Sequence, residues 1–455
     1  MARRDRSLTT VLATWLGALA CWALALWPRL RDLDATMALA DTIGPFLTAA
    51  DPGRGSHAPP FGWGLYLPYW LALRAGSLTA ALGLIAALHA LTAPLGFLAV
   101  RLLRPRAWGA AIAVGALLAL DRGLLDTTLS GAEGYLAATW LAATTLGLAG
   151  RERAWGPWVA AGAWAMAVLN HPFALAAAPL LLLLPLRRAS LGAMLLAGAM
   201  LAPRVLAALS GPMPEAEGDP LAAPAAWLAQ GGAGSVAVLL GAAIGLLHRQ
   251  TRWISLATMA SAALMLLLGI HLGYLRDHHL RLLSAPALVG MAALPGAWGA
   301  LALALLRPPP SWLPQPGHPH RPGTLGLERQ LADTLDALPG PVQVDGAWLS
   351  GTPAAEPAAL LLDLHLRGHA LGSDTLTVLV SAERGRWEGL PLPGRELPGR
   401  MLDRGDRHLL VVVDPADRDA WAPALCERGA RIGGAVEGMG ALAPDAPVRP
   451  WECGG

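Results

Sequence analysis

Asp32 and Asp34 stand two residues apart in a polar stretch, RLRDLDATMALADTIGPFLTAADPGRGSHAPP at 29–60, which also holds Asp41, Asp51, His57 and the pair Pro59-Pro60. Residues able to handle protons or anions recur in short polar breaks between apolar runs. These are Asp121, Arg122 and Asp126, then Glu133, then Asn170 with His171, then Asp277, His278, His279 and Arg281. Carboxylates, imidazoles and isolated Arg residues are the parts needed to move a group from a phosphate leaving group to a hydroxyl. A carboxylate takes the acceptor proton. Arg or His steadies the departing phosphate, where negative charge grows in the transition state.

Each of these residues also has a structural reading. Asp32 and Asp34 can be solvated loop acids, or can cap a following helix at its positive end. Glu133 at the start of an apolar run suits a helix N-terminus. His171 before Pro172 can mark a helix break, and Arg281 at a helix end can snorkel to a headgroup. His278 and His279 form no metal motif: neighbours seldom both ligate from one helix face, and no second pair has ligand spacing. No metal or cofactor is indicated.

The elements that must carry these residues are apolar. Of 455 residues, 54% are hydrophobic and 15% charged, against about a quarter charged in an ordinary soluble domain. Repeated runs long enough for a hydrocarbon layer about 30 Å thick predict a polytopic α-helical membrane protein. The net charge of +2 gives no case for a nucleic-acid partner. Every basic residue is Arg and none is Lys, which points to a GC-rich, bacterial genome; with the apolar runs, the expected location is a bacterial inner membrane. Cys21, Cys426 and Cys453 provide neither a disulfide framework nor zinc spacing. The start, with Arg3, Arg4 and Arg6 before an apolar run, reads as a retained first helix rather than a removed signal peptide.

The Arg clusters set the orientation by the positive-inside rule. The first span, about 8–28, delivers 29–60 to the outer face. The segment 61–76, short and broken by Pro68, reads as an interfacial helix. Further spans are expected at about 78–100, 107–120, 133–149, 154–169, 172–186, 190–209, 226–247, 253–273 and 281–306, about ten in all. Nearly every Arg cluster then lies inside, while the acids and imidazoles named above lie outside. Residues 307–323 are a Pro-rich linker. Beyond it, 324–455 alternates strand-like and helix-like runs and reads as a small α/β domain, with strands around PVQVDGAWL, TLTVLVSAE and HLLVVVDP. The span count puts this domain in the cytoplasm.

The order of elements resembles the GT-C-type glycosyltransferases that use polyprenyl-phosphate sugars, the group of protein O-mannosyltransferases and the lipid A aminoarabinose transferase. Three places carry the likeness: Asp34 followed by ATMALA after the first span, SHAPPFGWGLYLPYWLALRAG at 56–76 before a span ending in Arg, and YLRDHHLRLLSAPALVGMAAL at 274–294. The likeness covers 8–306, the transmembrane unit of 1–306. Ala35 stands where the family often has Glu, and Ala58 interrupts the His-Pro-Pro run.

The resemblance implies Asp34 as general base, with Asp32 as its fallback. It implies Glu133 placing acceptor or sugar, and Arg281 with His278 or His279 meeting the lipid-linked phosphate. His57 would line the same outward cavity, with Arg122 and His171 beside it. The donor would be a polyprenyl-phosphate sugar, its tail among membrane lipids. The acceptor would be an envelope glycan, lipid or protein, and the transfer would invert the anomeric centre. Two other readings stand beside this one. A catalytically degenerate relative would act as a membrane scaffold through 324–455. A transporter would need ionisable groups within the spans, where His89 is the main example.

Overall fold

The computed structural model describes residues 8–35, 63–121, 123–125, 135–210, 233–272 and 277–292. It also describes single residues or short pieces at 45–46, 49, 325, 329, 343–345, 363, 366–367, 376–381, 402–403 and 408–413. The described chain is mostly helical, and three helices are long and apolar enough to cross a membrane: Leu8–Arg31, Leu78–Leu103 and Arg252–His271. At 24, 26 and 20 residues they measure about 36, 39 and 30 Å. Such helices are compatible with a membrane protein. Helices at Trp108–Leu120, Leu136–Ala149, Pro172–Leu183 and Arg188–Pro203 are apolar but shorter, so the expected series of about ten full spans is matched in helix position more widely than in helix length.

Helix α1 (Leu8–Arg31) shows how the body is built. Leu12, Trp15, Leu16, Leu19 and Trp27 are exposed, Trp27 at 70%. Ala18, Cys21, Ala25 and Arg29 recur at helical spacing on the buried side. That seam is narrow because its residues are small. A Cβ on Gly17 would come 2.7 Å from Cζ of Phe97, and one on Gly115 would collide with Cys21. Lipid tails are as apolar as Leu, so such helices associate by close backbone approach rather than by hiding apolar surface. The exposed Leu and Trp side chains belong to a surface suited to lipid.

Helix α2 (Trp63–Leu73) has 11 residues, about 16 Å, too short to cross alone. It packs on α3 (Leu78–Ala90), which continues as α4 (Thr92–Leu103). Pro94 sets the break between them, because proline lacks an N–H and crowds the carbonyl four residues back. Hydroxyls occupy the loosened backbone: Thr92 Oγ1 donates to the His89 carbonyl at 2.7 Å, and Thr139 Oγ1 reaches the same oxygen at 3.3 Å. Arg29 Nε donates to Nδ1 of the buried His89 at 3.1 Å. The spans therefore hold buried Arg29 and Arg101 as well as His89.

Helices α5 (Trp108–Leu120), α6 (Tyr135–Ala149) and α7 (Gly156–Asn170) follow, then a 3₁₀ helix (Pro172–Leu183), α8 (Arg188–Ser210), α9 (Ala233–Gly245), α10 (Arg252–His271), α11 (Asp277–Arg281) and α12 (Ser284–Met291). α6 packs on α7 with small residues between them; a Cβ on Gly147 would overlap the backbone at Ala160. α12 lies antiparallel to α5: its first residue, Ser284, bonds Asp121 just past the end of α5, and Ala292 accepts from Arg104 Nη1, just before α5, at 2.8 Å. The helical body thus has an Asp121 end and an Arg104 end.

At the Arg104 end, Arg151 donates to the Leu183 carbonyl and Arg187 pairs with Glu152 at 2.7 Å. The described part of the C-terminal third carries a four-stranded sheet of β1 (Gln343–Asp345), β2 (Leu376–Ser381), β3 (Leu402–Asp403) and β4 (His408–Val413), in the order β1-β2-β4-β3. β1 and β2 are parallel; the other two pairings are antiparallel. β1, β2 and β4 fall within the three stretches expected to be strands.

One expectation is corrected. The span count placed the C-terminal part on the side opposite Asp34. In the structure Arg329 Nη2 donates to Asp34 Oδ2 at 2.7 Å, and Asp363 Oδ1 accepts from the Leu78 backbone N–H at 3.0 Å. Leu325 and Leu366 join the apolar cluster of Leu33, Phe46, Tyr69 and Leu78. The two regions lie at the same end of the helical body.

Candidate functional site

Asp34 sits in a single 3₁₀ turn, Leu33–Ala35, directly after α1. The turn is held by Leu33, which packs among Leu78, Leu82 and Ile85, so the two acids on either side of it have different surroundings. Asp32 is buried and is gripped at both oxygens by its neighbour: Arg31 Nε to Oδ1 at 2.8 Å and Nη2 to Oδ2 at 2.6 Å. Asp34 keeps 30% of its side chain exposed, and Arg329 reaches one of its oxygens. Of the two, Asp34 is the more exposed.

A second polar group lies at the same end of the body, where α5, α7, α11 and α12 meet. Arg281 Nη1 donates to both oxygens of Asp121, at 2.9 and 3.1 Å, and both side chains are close to fully buried. Asp121 also accepts from the Gly123 N–H at 2.9 Å and from Ser284 Oγ at 3.3 Å. A carboxylate just beyond a helix C-terminus opposes the helix dipole, so Arg281 and Ser284 are what make this position tolerable. Gly123 is there for space: a Cβ would lie 2.5 Å from Nε and 2.7 Å from Cζ of Arg281.

Beside this pair, the buried His279 ring stacks on Phe173, with centroids 3.8 Å apart and planes 15° apart. His171 lies 5.3 Å from His279. His171 is extended, with φ −148° and ψ 125°, as expected for the residue before a proline. The break read from His171-Pro172 is real, and it also delivers His171 to His279.

The structure therefore brings His171 to His279, which lies two residues before Arg281 in α11, and keeps Asp32 and Asp34 together beyond α1. Arg281, expected to meet a lipid-linked phosphate, has its charge met by Asp121. His57, Arg122 and Glu133 lie outside the described residues, and of His278 only the backbone is described. Among the described residues no group of three or more His, Cys, Asp or Glu could hold a metal.

Sequence reasoning placed Asp121 on the right face without pairing it with Arg281. It did not single out Gly123, Phe173, Ser284 or Arg329. Asp121 could have been found as the acid directly ending the apolar run 107–120; nothing in the sequence pointed to Arg329. Comparison with family models, curated proteins and solved structures gave no match.

Proposed function

We propose that this chain is a multi-pass enzyme of a bacterial inner membrane that moves a sugar from a polyprenyl-phosphate donor to an envelope glycan, lipid or protein acceptor, with inversion. Asp34 is the general base on the acceptor hydroxyl. The reading rests on one observation: a partly exposed carboxylate and a buried Arg–imidazole group occupy the same end of an otherwise apolar helical body.

Asp34 takes the acceptor proton as the hydroxyl attacks the anomeric carbon, and the bond to the phosphate oxygen breaks on the opposite face. Arg281 and His279 favour the negative charge that grows on the leaving phosphate. Asp121 holds Arg281 in place between substrates. α2, with Leu67, Trp70 and Leu71 exposed, suits a helix lying at the lipid surface near the polyprenyl tail. The other helices complete a body of about ten crossings, and the strands of 343–413 belong to a small α/β domain. A parallel pair such as β1 and β2 needs a crossover of a dozen or more residues, and Asp363 and Leu366 in that interval are helical.

The scaffold reading has its own support in the Arg329–Asp34 pair, which lets the C-terminal part occupy a carboxylate that catalysis would need. Mass spectrometry of envelope glycans and glycolipids separates the two. In a deletion strain, wild type restores a sugar-sized increment that Asp34→Asn does not. If Asp34→Asn restores it equally, or deletion alters no glycan, the transferase reading is lost and the scaffold reading replaces it.

A further inference from the structure

Three contacts tie the C-terminal part to the Asp34 end, and they differ in kind. The first is the ion pair of Arg329 with Asp34. The second is a helix cap. Asp363 Oδ1 accepts from the Leu78 N–H, while Ser77 Oγ accepts from Ala80 N at 3.2 Å, so two side chains share the free N–H groups that open α3. Asp363 is 3% exposed, and its other oxygen takes Arg367 Nη2 at 2.8 Å. The third is apolar: Leu325 is buried, and Leu366 packs against the cluster that holds Leu33, Tyr69, Ala72 and Leu78.

We infer that the face formed by Leu33, Asp34, Tyr69 and the N-terminus of α3 is the docking surface for this chain's own C-terminal part, through Leu325, Arg329, Asp363 and Leu366. The C-terminal part therefore lies on the same side of the membrane as Asp34, and the number of crossings between Asp34 and Arg329 is even.

The helical body supplies an independent argument. Ala292 is already at the opposite end, where Arg104 donates to its carbonyl. The chain has to return from there to reach Leu325. In sequence, 293–306 contains no charged residue, so it can enter the apolar layer without exposing charge, but its 14 residues measure only about 21 Å as a helix and cover part of a return. A single crossing for the whole of 281–306 would leave Arg329 at the wrong end. An aqueous-side surface also explains why the contact is made by two acids and two arginines, which bilayer hydrocarbon would penalise.

The inference does not depend on transferase activity, and neither of its readouts measures sugar transfer. In a chain carrying Cys21→Ser, Cys426→Ser and Cys453→Ser, single cysteines are placed by Arg74→Cys near the start of α3, by Arg249→Cys at the other end of the body, and by Gly455→Cys at the C-terminus. A membrane-impermeant maleimide is applied to sealed vesicles of each orientation. Arg74→Cys and Gly455→Cys are expected to label from one side and Arg249→Cys from the other. Labelling of Gly455→Cys together with Arg249→Cys overturns the inference.

Docking is tested separately. In an Asp34→Cys, Arg329→Cys chain with a protease site inserted at 307–323, a short bis-maleimide is expected to keep the cleaved fragments joined. Arg249→Cys combined with Arg329→Cys is expected to leave them separable. If the first pair separates as completely as the second, the docking surface is refuted even where the sides agree.

Discussion

Asp121 and Arg281 show what a single pair does in this protein. They are 160 residues apart in sequence and meet at 2.9 Å with almost no exposure. A buried pair of this kind is costly to break, because the partner left behind keeps its charge without a counterion; the loss runs to about 3–5 kcal/mol. Asp121→Ala and Arg281→Ala are each expected to lose stability of that order, read as a lower thermal midpoint in detergent. Asp121→Leu with Arg281→Met together is expected to recover most of it, since no lone charge remains. Additive losses in the double variant would contradict the account. Gly123→Ala is expected to destabilise too, because its methyl group occupies the place of the guanidinium. Both partners were visible in the sequence as polar residues on one face. Their pairing was not, because nothing local in either segment depends on the other.

At the scale of elements, helix positions were legible and helix lengths were not. Runs of apolar residues between Arg clusters mark where helices lie, and 78–103, 108–120 and 252–271 carry helices as read. Their ends follow local chemistry: Pro94 breaks the second long helix, and His171-Pro172 ends α7. A cap supplied from 285 residues away is not readable. Asp363→Ala is expected to cost about 0.5–2 kcal/mol, the usual range for losing an N-cap side chain, seen as faster amide exchange through the first turn of α3. Ser77→Ala is expected to affect the same turn, and unchanged exchange in both would deny these side chains their role. Thr92→Val is expected to cost about 1 kcal/mol for its lost hydrogen bond, measured by unfolding in detergent, with Thr139 left nearest the His89 carbonyl.

Among the described residues at the scale of the whole molecule, the imidazoles and most acids of the polar groups lie at one end, where each acid has an Arg partner, and Arg residues with Glu152 lie at the other. Arg104, Arg151 and Arg187 lie at one end, while Asp34, Asp121, His171 and His279 lie at the other. This sorting was legible because positive residues on one side and chemistry on the other leave a periodic trace along the chain. The side of the C-terminal part was not legible, because it turns on the parity of a count to which short helices contribute uncertain terms. Its contacts with Asp34 and Leu78 are what the inferred side rests on. The central claim remains that Asp34, at the polar end of this apolar body, removes the proton from a sugar acceptor.

The most direct test uses the purified full chain in vesicles of bacterial lipid with synthetic polyprenyl-phosphate hexose or pentose and a mixture of envelope acceptors, following release of polyprenyl phosphate. Wild type is expected to release it from one of these donors. Asp34→Asn, folded to the same thermal midpoint within a few degrees, is expected to lose at least about a hundredfold, the lower range for removing a general base. Equal release by wild type and Asp34→Asn, or none by wild type from any donor, would contradict the account.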